Sequence, residues 1–163
     1  MIFVTVGEQL PFDRLIRAVD NWAIDSNEIV FAQIGSSKIK PRNIKCENFL
    51  EPVEFKNKFE SAELVIAHAG MGTIITALEL QKPIIVVPRR AELGEHRNNH
   101  QLATAEKFMK LEYIEVAFDE AQLLLKLKEL NRIKQNSKQV KDRGPSPYLI
   151  KTIRDFLTGS SFA

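Results

Sequence analysis

Two patterns of hydrophobic and polar positions take turns along the chain. Short apolar runs rich in β-branched residues, each closed by glycine, proline or polar residues, predict buried strands. Between them, apolar residues recur every three or four positions, which predicts amphipathic helices. The predicted strands cover 2–6, 28–34, 44–50, 64–67, 84–87 and 113–116. The predicted helices are one that starts at Pro11, 53–62, one that ends at Gln81, 99–110, one that Asp119 caps, and 145–158.

Strands and helices alternate throughout, and this order favours a parallel sheet with helices on both faces. A chain of 163 residues is long enough for one domain with a sizeable core. We therefore expect a single α/β, Rossmann-like domain over residues 1–163, with the segment 145–158 as its last helix.

Composition narrows the class of protein. The content of 44% hydrophobic and 27% charged residues is typical of a globular domain, and a net charge of +2 gives no reason to expect a nucleic-acid partner. No apolar run approaches the roughly 20 residues of a membrane span, and no basic region precedes the first apolar stretch. Cys46 is the single cysteine, which excludes an intramolecular disulfide. A cytoplasmic location is expected.

A glycine turn carries the strongest chemical signal. The apolar run Leu64–Ala67 ends at His68, Gly70 and Gly72 follow, and a helical pattern resumes at once. The positive end of a helix and its bare N–H groups meet anions at such turns, and glycine permits close approach and positive φ. Thr73 would add a hydroxyl donor in the first turn. From the turn alone, an anion site and ordinary turn chemistry remain equally open.

A second polar cluster follows the strand 84–87. It contains Arg89 and Arg90 and then the run 95–101, which carries two of the three histidines. The histidines do not lie together on a predicted helix, and no pair of cysteines supports them, so no metal site is expected.

Four motifs, in order, resemble one known family. They are VTVG at 4–7, PFDRLIRAVD at 11–20, HAGMGT at 68–73 and NHQ at 99–101. The chain resembles the glycosyltransferase family 28 C-terminal domain, the nucleotide-sugar-binding half of a GT-B glycosyltransferase. It is most similar to the PssE-type small subunits of two-part transferases and, more distantly, to the cytosolic subunit of the dolichol-linked GlcNAc transferase.

The resemblance implies a UDP-sugar donor and a set of binding residues, with no metal or other cofactor. The implied diphosphate site is His68, Gly70, Met71, Gly72 and Thr73. Uracil would be read by main-chain atoms of Phe49, Leu50 and Glu51. The ribose and sugar would meet Thr76, Arg89, Glu95, Asn99, His100 and Gln101, with Gln101 assigned to the donor sugar.

Two positions depart from the family pattern. Thr76 stands where many relatives carry a glutamate for the ribose hydroxyls, and a hydroxyl accepts fewer strong hydrogen bonds than a carboxylate. Glu8 stands where relatives commonly have threonine, so it is either a base for the acceptor or an acid near a helix start. His68 is the other candidate catalytic residue, with a core or capping role as the alternative.

The resemblance also implies a partner, because a GT-B site lies between two domains. The partner would be a membrane-associated subunit that binds a lipid-linked acceptor, which would hold the chain at the inner face of the membrane. The alternative is a non-catalytic nucleotide-sugar-binding or activating subunit. The basic stretch 126–143 predicts a solvated face or contact with anionic lipid, and the last helix either packs on its own sheet or docks on the partner.

Overall fold

The computed structural model describes residues 1–109 and 114–133, and within them the chain forms one sheet of six parallel strands. The strands are β1 (Ile2–Thr5), β2 (Val30–Gln33), β3 (Lys45–Glu47), β4 (Leu64–His68), β5 (Ile84–Val87) and β6 (Ile114–Val116). Their order across the sheet is β3-β2-β1-β4-β5-β6, and every neighbouring pair is parallel. The predicted parallel α/β sheet is confirmed.

Helices cover both faces of this sheet. They are α1 (Asp13–Ala23), α2 (Pro52–Ser61), α3 (Met71–Glu79), α4 (His100–Phe108) and α5 (Glu120–Lys128). A short 3-10 turn, Ala91–Leu93, lies between β5 and α4. The side chains of β1 show the two-residue period of a strand buried on both faces, because Ile2 and Val4 enter one core cluster and Phe3 enters the other.

Each core cluster takes its helices from one side. The first contains the buried stripe of α1, Leu15, Ile16 and Val19, together with Leu123 and Leu127 of α5. The second contains buried residues of α2, α3 and α4, namely Phe59, Ile74, Ala77, Leu78, Ala105 and Phe108. Two hydrophobic layers therefore hold one sheet between them, as the helical periodicity predicts.

The sequence pattern overestimates the lengths of β3, an edge strand, and of its neighbour β2. The strand predicted over 44–50 shortens to Lys45–Glu47, which is at the edge of the sheet among the described residues and has two exposed terminal residues. The strand predicted over 28–34 shortens to Val30–Gln33. The predicted helix 145–158 and the basic stretch beyond residue 133 lie outside the described residues. Within the described part of the chain, no helix has the length and apolar character needed to cross a bilayer.

The chain reverses direction across the sheet between β1 and β4. From β1 it continues through β2 and β3 on one side, and from β4 through β5 and β6 on the other. Ligands of open parallel sheets bind outside the carboxyl ends of the strands at such a reversal. The loops that follow β1 and β4 are therefore the expected location of a ligand site.

Candidate functional site

A cavity of about 720 Å³ lies at this reversal, on the carboxyl side of the sheet. Its walls come from the ends of β1, β2 and β4, from the loops after β1, β3, β4 and β5, and from α2, α3 and α4. Of the predicted site residues, the cavity wall contains Glu8, Leu50, His68, Gly70, Met71, Gly72, Thr73, Thr76, Arg89, His100 and Gln101. The cavity has room for a ligand of nucleotide size.

The glycine turn forms the anion-binding wall of the cavity. Gly70 is the N-cap of α3 and no side chain caps the helix there, so the N–H groups of its first turn are not taken by a capping side chain. The five predicted diphosphate residues all line the cavity beside this helix start. An anion at this point would meet both the N–H groups and the positive end of the helix dipole.

Gly70 and Gly72 do not serve to allow a positive φ, which was the role predicted for them. Gly70 has a φ of −87°, and neither it nor Gly72 is among the glycines with positive φ, so the predicted left-handed backbone is wrong. A Cβ on Gly70 would lie 2.0 Å from the His68 ring, whereas a Cβ on Gly72 would meet nothing within 4 Å. Gly70 makes room for the imidazole, and Gly72 leaves the helix start open.

The imidazole of His68 lies between two glycines. A Cβ on Gly7 would come within 2.7 Å of His68 Nε2, and Gly7 has a positive φ of 73°. Burial first, and then the positive charge of Arg89 and the proximity of His96, lower the pKa of His68 to about 4, although the hydrogen bond with Gln101 partly opposes the shift. His68 is therefore neutral near neutral pH.

Hydrogen bonds determine which nitrogen of His68 carries the proton. The main-chain N–H of Arg89 donates to Gln101 Oε1 at 3.1 Å, and this contact fixes the orientation of the amide. Gln101 Nε2 then faces His68 Nδ1 at 3.2 Å and must donate to it. Since Nδ1 accepts, the proton of the neutral ring is on Nε2, beside Gly7 at the mouth of the β1 loop.

Arg89 lines the cavity and is buried, and its guanidinium binds main-chain oxygens. Its side chain is 2% exposed, and its guanidinium donates to main-chain oxygens of Val6, Leu10 and Pro11 at 2.6, 2.7 and 2.9 Å and to that of Glu95 at 3.1 Å. Burial lowers the pKa of Arg89 to about 10, with Glu95 opposing the shift, so it stays protonated. The guanidinium holds the loop after β1 against the end of β5.

Glu95 and Asn99, both predicted sugar ligands, lie outside the cavity wall. The Glu95 carboxylate accepts from Arg14 at 2.8 and 3.0 Å and from the Arg90 main-chain N–H at 3.0 Å. Asn99 Oδ1 accepts from the main-chain N–H of Ala91 at 3.0 Å. Both side chains hold the loop between β5 and α4 through these contacts.

The predicted uracil segment reaches the cavity through Leu50 alone among its three residues. Phe49 is 55% exposed, and neither it nor Glu51, the N-cap of α2, lines the cavity. The main-chain N–H of Leu50 donates to Gln33 Oε1 at 3.0 Å. Gln33 was not predicted, although a polar residue that ends an apolar strand is a usable signal. Other lining residues that the sequence prediction omitted include Thr5, Gln9, Pro52, Phe55 and Thr104.

Three further predicted residues line the cavity, and they differ in exposure and in hydrogen bonding. The Thr76 hydroxyl donates to the main-chain oxygen of Gly72 at 2.9 Å, so a ribose would have to donate to it. Glu8 is exposed, and it is the one carboxylate in the cavity wall among the described residues. His100 is exposed at the start of α4. Residues 1–109 and 114–133 contain no cluster of three His, Cys, Asp or Glu side chains placed to hold a metal.

Comparison with known sequences gives a consistent set of relatives. The sequence signature of the Glycosyltransferase family 28 C-terminal domain matches residues 1–153. The human UDP-N-acetylglucosamine transferase subunit ALG13 is 35% identical over 123 residues, which are 67% of this chain and 10% of that protein. The subunit of the same name from Yarrowia lipolytica is 29% identical over 136 residues, 73% of this chain and 65% of that protein. The match thus spans about a tenth of the human relative.

Solved structures share the fold. The solution structure of ALG13 has a TM-score of 0.55 at 22% identity and covers 78% of this chain and 83% of that one. UDP-glucose: anthocyanidin 3-O-glucosyltransferase in complex with UDP has a TM-score of 0.63 at 14% identity, over 98% of this chain and 40% of that one. The calicheamicin glycosyltransferase CalG4 gives 0.59 at 15%, over 96% and 38%. These likenesses concern the fold, and they confirm the predicted correspondence to one half of a GT-B glycosyltransferase.

Proposed function

The chain belongs to the glycosyltransferase family 28 C-terminal domain family, and on that premise we propose that it is the donor-binding, catalytic subunit of a two-subunit, UDP-sugar-dependent glycosyltransferase. The single observation that carries this proposal is the uncapped first turn of α3, which opens into a cavity of about 720 Å³ at the sheet reversal. The diphosphate of the donor would lie against Gly70–Thr73, where N–H groups and the helix dipole meet negative charge.

The transfer reaction proposed for this site depends mainly on stabilising the negative charge of the leaving diphosphate, and less on side chains that form covalent bonds. As the sugar leaves, negative charge grows on the diphosphate, and fixed N–H donors that are already oriented stabilise it without rearrangement. The Nε2–H of neutral His68 would be one further donor. The proposal assigns this neutralisation to main-chain and side-chain donors, without a metal ion.

The proposed partner is a membrane-associated subunit that binds a lipid-linked acceptor. Support comes from the relatives, whose name describes them as subunits of a UDP-N-acetylglucosamine transferase. The candidate cavity is open and is built on one sheet in the described part of the chain, and a second wall would hold the acceptor and exclude water. We place the chain on the cytoplasmic side of the membrane, in exopolysaccharide or glycolipid synthesis.

A non-catalytic, nucleotide-sugar-binding or activating subunit is the second candidate, and one observation favours it. Among the described residues, the cavity wall contains a single carboxylate, that of the exposed Glu8, and a His68 with a pKa of about 4 is a weak base. This chain therefore offers few groups that could deprotonate an acceptor hydroxyl. The base would then come from the partner. Glu8→Gln in the reconstituted complex separates the two: a fall in turnover of 100-fold or more supports a base in this chain, and unchanged turnover supports the alternative.

Calorimetric titration of the purified chain with UDP tests the proposal at its foundation. Gly72→Asp should weaken UDP binding by a few kcal/mol, roughly 100-fold, because it places a carboxylate beside the phosphates. The fold should survive, since a Cβ at Gly72 meets nothing within 4 Å and an acid suits the first turn of a helix.

The control for Gly72→Asp is Asn27→Asp, which adds the same charge at the opposite edge of the sheet, in the exposed loop before β2. This control should bind UDP as the wild type does. Absence of UDP binding by the wild type, or unchanged binding by folded Gly72→Asp, would overturn the proposed donor site.

A further inference from the structure

Gln33 is a buried amide at the carboxyl end of β2, beside the end of β1. It is 5% exposed, and it lines the cavity. Burial of an amide in this position requires partners for its oxygen and its NH₂ group, because an unsatisfied donor in a buried site is unfavourable.

One contact determines how the Gln33 amide is oriented. Oε1 accepts from the main-chain N–H of Leu50 at 3.0 Å, and because an N–H can only donate, the oxygen must face Leu50. The Nε2 group is therefore on the other side. It has no hydrogen-bond partner among the described residues, and it is not sealed within the core. The amide offers the cavity a donor with a fixed direction.

The surroundings of Gln33 suit a flat heterocycle. Leu50, Pro52 and Phe55 line the same part of the cavity wall, where apolar atoms can cover the face of a base. β1 separates β2 from β4, so Gln33 lies two strand spacings, about 10 Å, from the end of β4 and the helix start that follows it. A nucleotide with its phosphates at α3 would place its base at this distance.

We propose that Gln33 determines base specificity by donating from Nε2 to O4 of the uracil ring. This inference rests on the proposed UDP-sugar function. Position 4 of a pyrimidine is opposite N1, the atom that carries the ribose, so it is the part of the ring farthest from the diphosphate. Uracil has an acceptor oxygen there and cytosine has an amino group, so a donor on the protein favours uracil and opposes cytosine.

The test is the ratio of UDP to CDP affinity, measured by calorimetry at pH 8. Gln33→Glu keeps an oxygen for the Leu50 N–H and replaces the NH₂ donor with an acceptor of the same shape. We expect wild-type protein to prefer UDP by at least tenfold and the variant to lose that preference by about tenfold or more. Gln9→Glu is the control, because it adds the same charge at an exposed position of the same cavity. It should weaken both ligands together and leave the ratio unchanged.

A second variant avoids any change of charge. Gln33→Met removes the donor and should also lower the UDP to CDP ratio, whatever it does to both affinities through the lost Leu50 contact. A ratio that stays at the wild-type value in folded Gln33→Glu and Gln33→Met overturns the inference. Equal weakening of UDP and CDP beyond that of Gln9→Glu would place Gln33 at the ribose or phosphates and overturn it as well. Wild-type protein that binds neither nucleotide would contradict the proposed function instead.

Discussion

The imidazole of His68 is held neutral by its surroundings, and this has a consequence for stability. Burial disfavours the protonated ring, and the charge of Arg89 acts in the same direction. The pKa of His68 is about 4 in the fold, against 6.5 for an ordinary histidine. The unfolded chain therefore takes up a proton at His68 more readily than the native protein does, and protonation favours unfolding.

His68 is expected to make the protein less stable as the pH falls from about 6.5 towards 4. Because the native pKa is the lower one, the stabilising difference is complete above the unfolded pKa and is lost on acidification. Between pH 7 and pH 5 the loss from this residue is about 2 kcal/mol. Urea unfolding of wild type and His68→Gln at both pH values measures it. His100→Gln, at an exposed position, is the control and should keep the wild-type pH dependence. Equal pH dependence in wild type and His68→Gln would contradict the prediction.

Sequence reasoning located the glycine-turn residues because their signal is local. A strand end, two glycines and a helix start stand next to one another in the chain, and all five predicted diphosphate residues line the cavity. The contacts of Glu95 with Arg14 and Arg90 have no such local signal, because three-dimensional packing determines them and Arg14 lies 81 positions away. A polar cluster in sequence does not reveal which members point to solvent and which bind the main chain.

At the scale of elements, Arg89 joins the loop after β1 to the loop after β5. Its guanidinium donates to main-chain oxygens from both loops, and it lies over the Phe12 ring with 4.7 Å from Cζ to the ring centroid. The loop after β1 contains Gly7, Glu8 and Gln9, all in the cavity wall. One buried cation thus positions a wall of the candidate site.

Arg89→Lys is expected to destabilise the protein by about 3 kcal/mol, because an ammonium group cannot reach oxygens that a planar guanidinium spans and leaves several of them unsatisfied. UDP affinity should fall with it, since the loop after β1 loses its anchor. Urea unfolding and calorimetry measure the two effects. The matched control is Arg17→Lys, at an exposed position on α1, which should change stability by about 0.5 kcal/mol or less. An Arg89→Lys protein as stable as this control would show that the guanidinium contacts are dispensable.

Elements with strong periodicity were predictable, and their ends were less so. The apolar runs at β1, β4 and β5 are buried along their length, so hydrophobic pattern alone identifies them. At the edge strand β3, half-exposed residues give no such pattern, and the prediction extended too far in both directions. The 3-10 turn Ala91–Leu93 also escaped prediction, because contacts of Glu95 and Asn99 with the main chain at Arg90 and Ala91 support it.

At the scale of the whole molecule, the sheet order explains why the predicted site residues come together. Residues from positions 5 to 104 meet at one cavity because parallel strands bring their carboxyl ends to one edge. Strand alternation predicts this edge, but the side chains that face it depend on packing. Within the described part of the chain, the cavity is bounded by one sheet and its loops. A second protein surface would therefore be needed to hold an acceptor.

The isolated chain is expected to bind UDP-sugar and to transfer nothing to a lipid-linked acceptor. Transfer requires the acceptor hydroxyl to be positioned against the sugar and water to be excluded, and an open cavity on a single sheet supplies neither. Addition of the membrane-associated subunit should restore turnover. A radiolabelled-sugar assay with the chain alone, the partner alone and both together measures this. Turnover by the purified chain alone, at the rate of the mixture, would contradict the two-subunit proposal.

Removal of residues 146–163, which lie outside the described residues, should abolish co-purification with that subunit and leave UDP affinity within about twofold of the full chain. The segment carries apolar residues at helical spacing, Leu149, Ile153, Phe156 and Leu157, which suit insertion into a groove of the partner. Full-length Gly72→Asp is the reciprocal control, because it should co-purify with the partner and lose both UDP binding and transfer. A truncated chain that still co-purifies and restores transfer would place the docking surface elsewhere on the molecule. Loss of UDP binding on truncation would instead show that the segment is needed for the domain to fold.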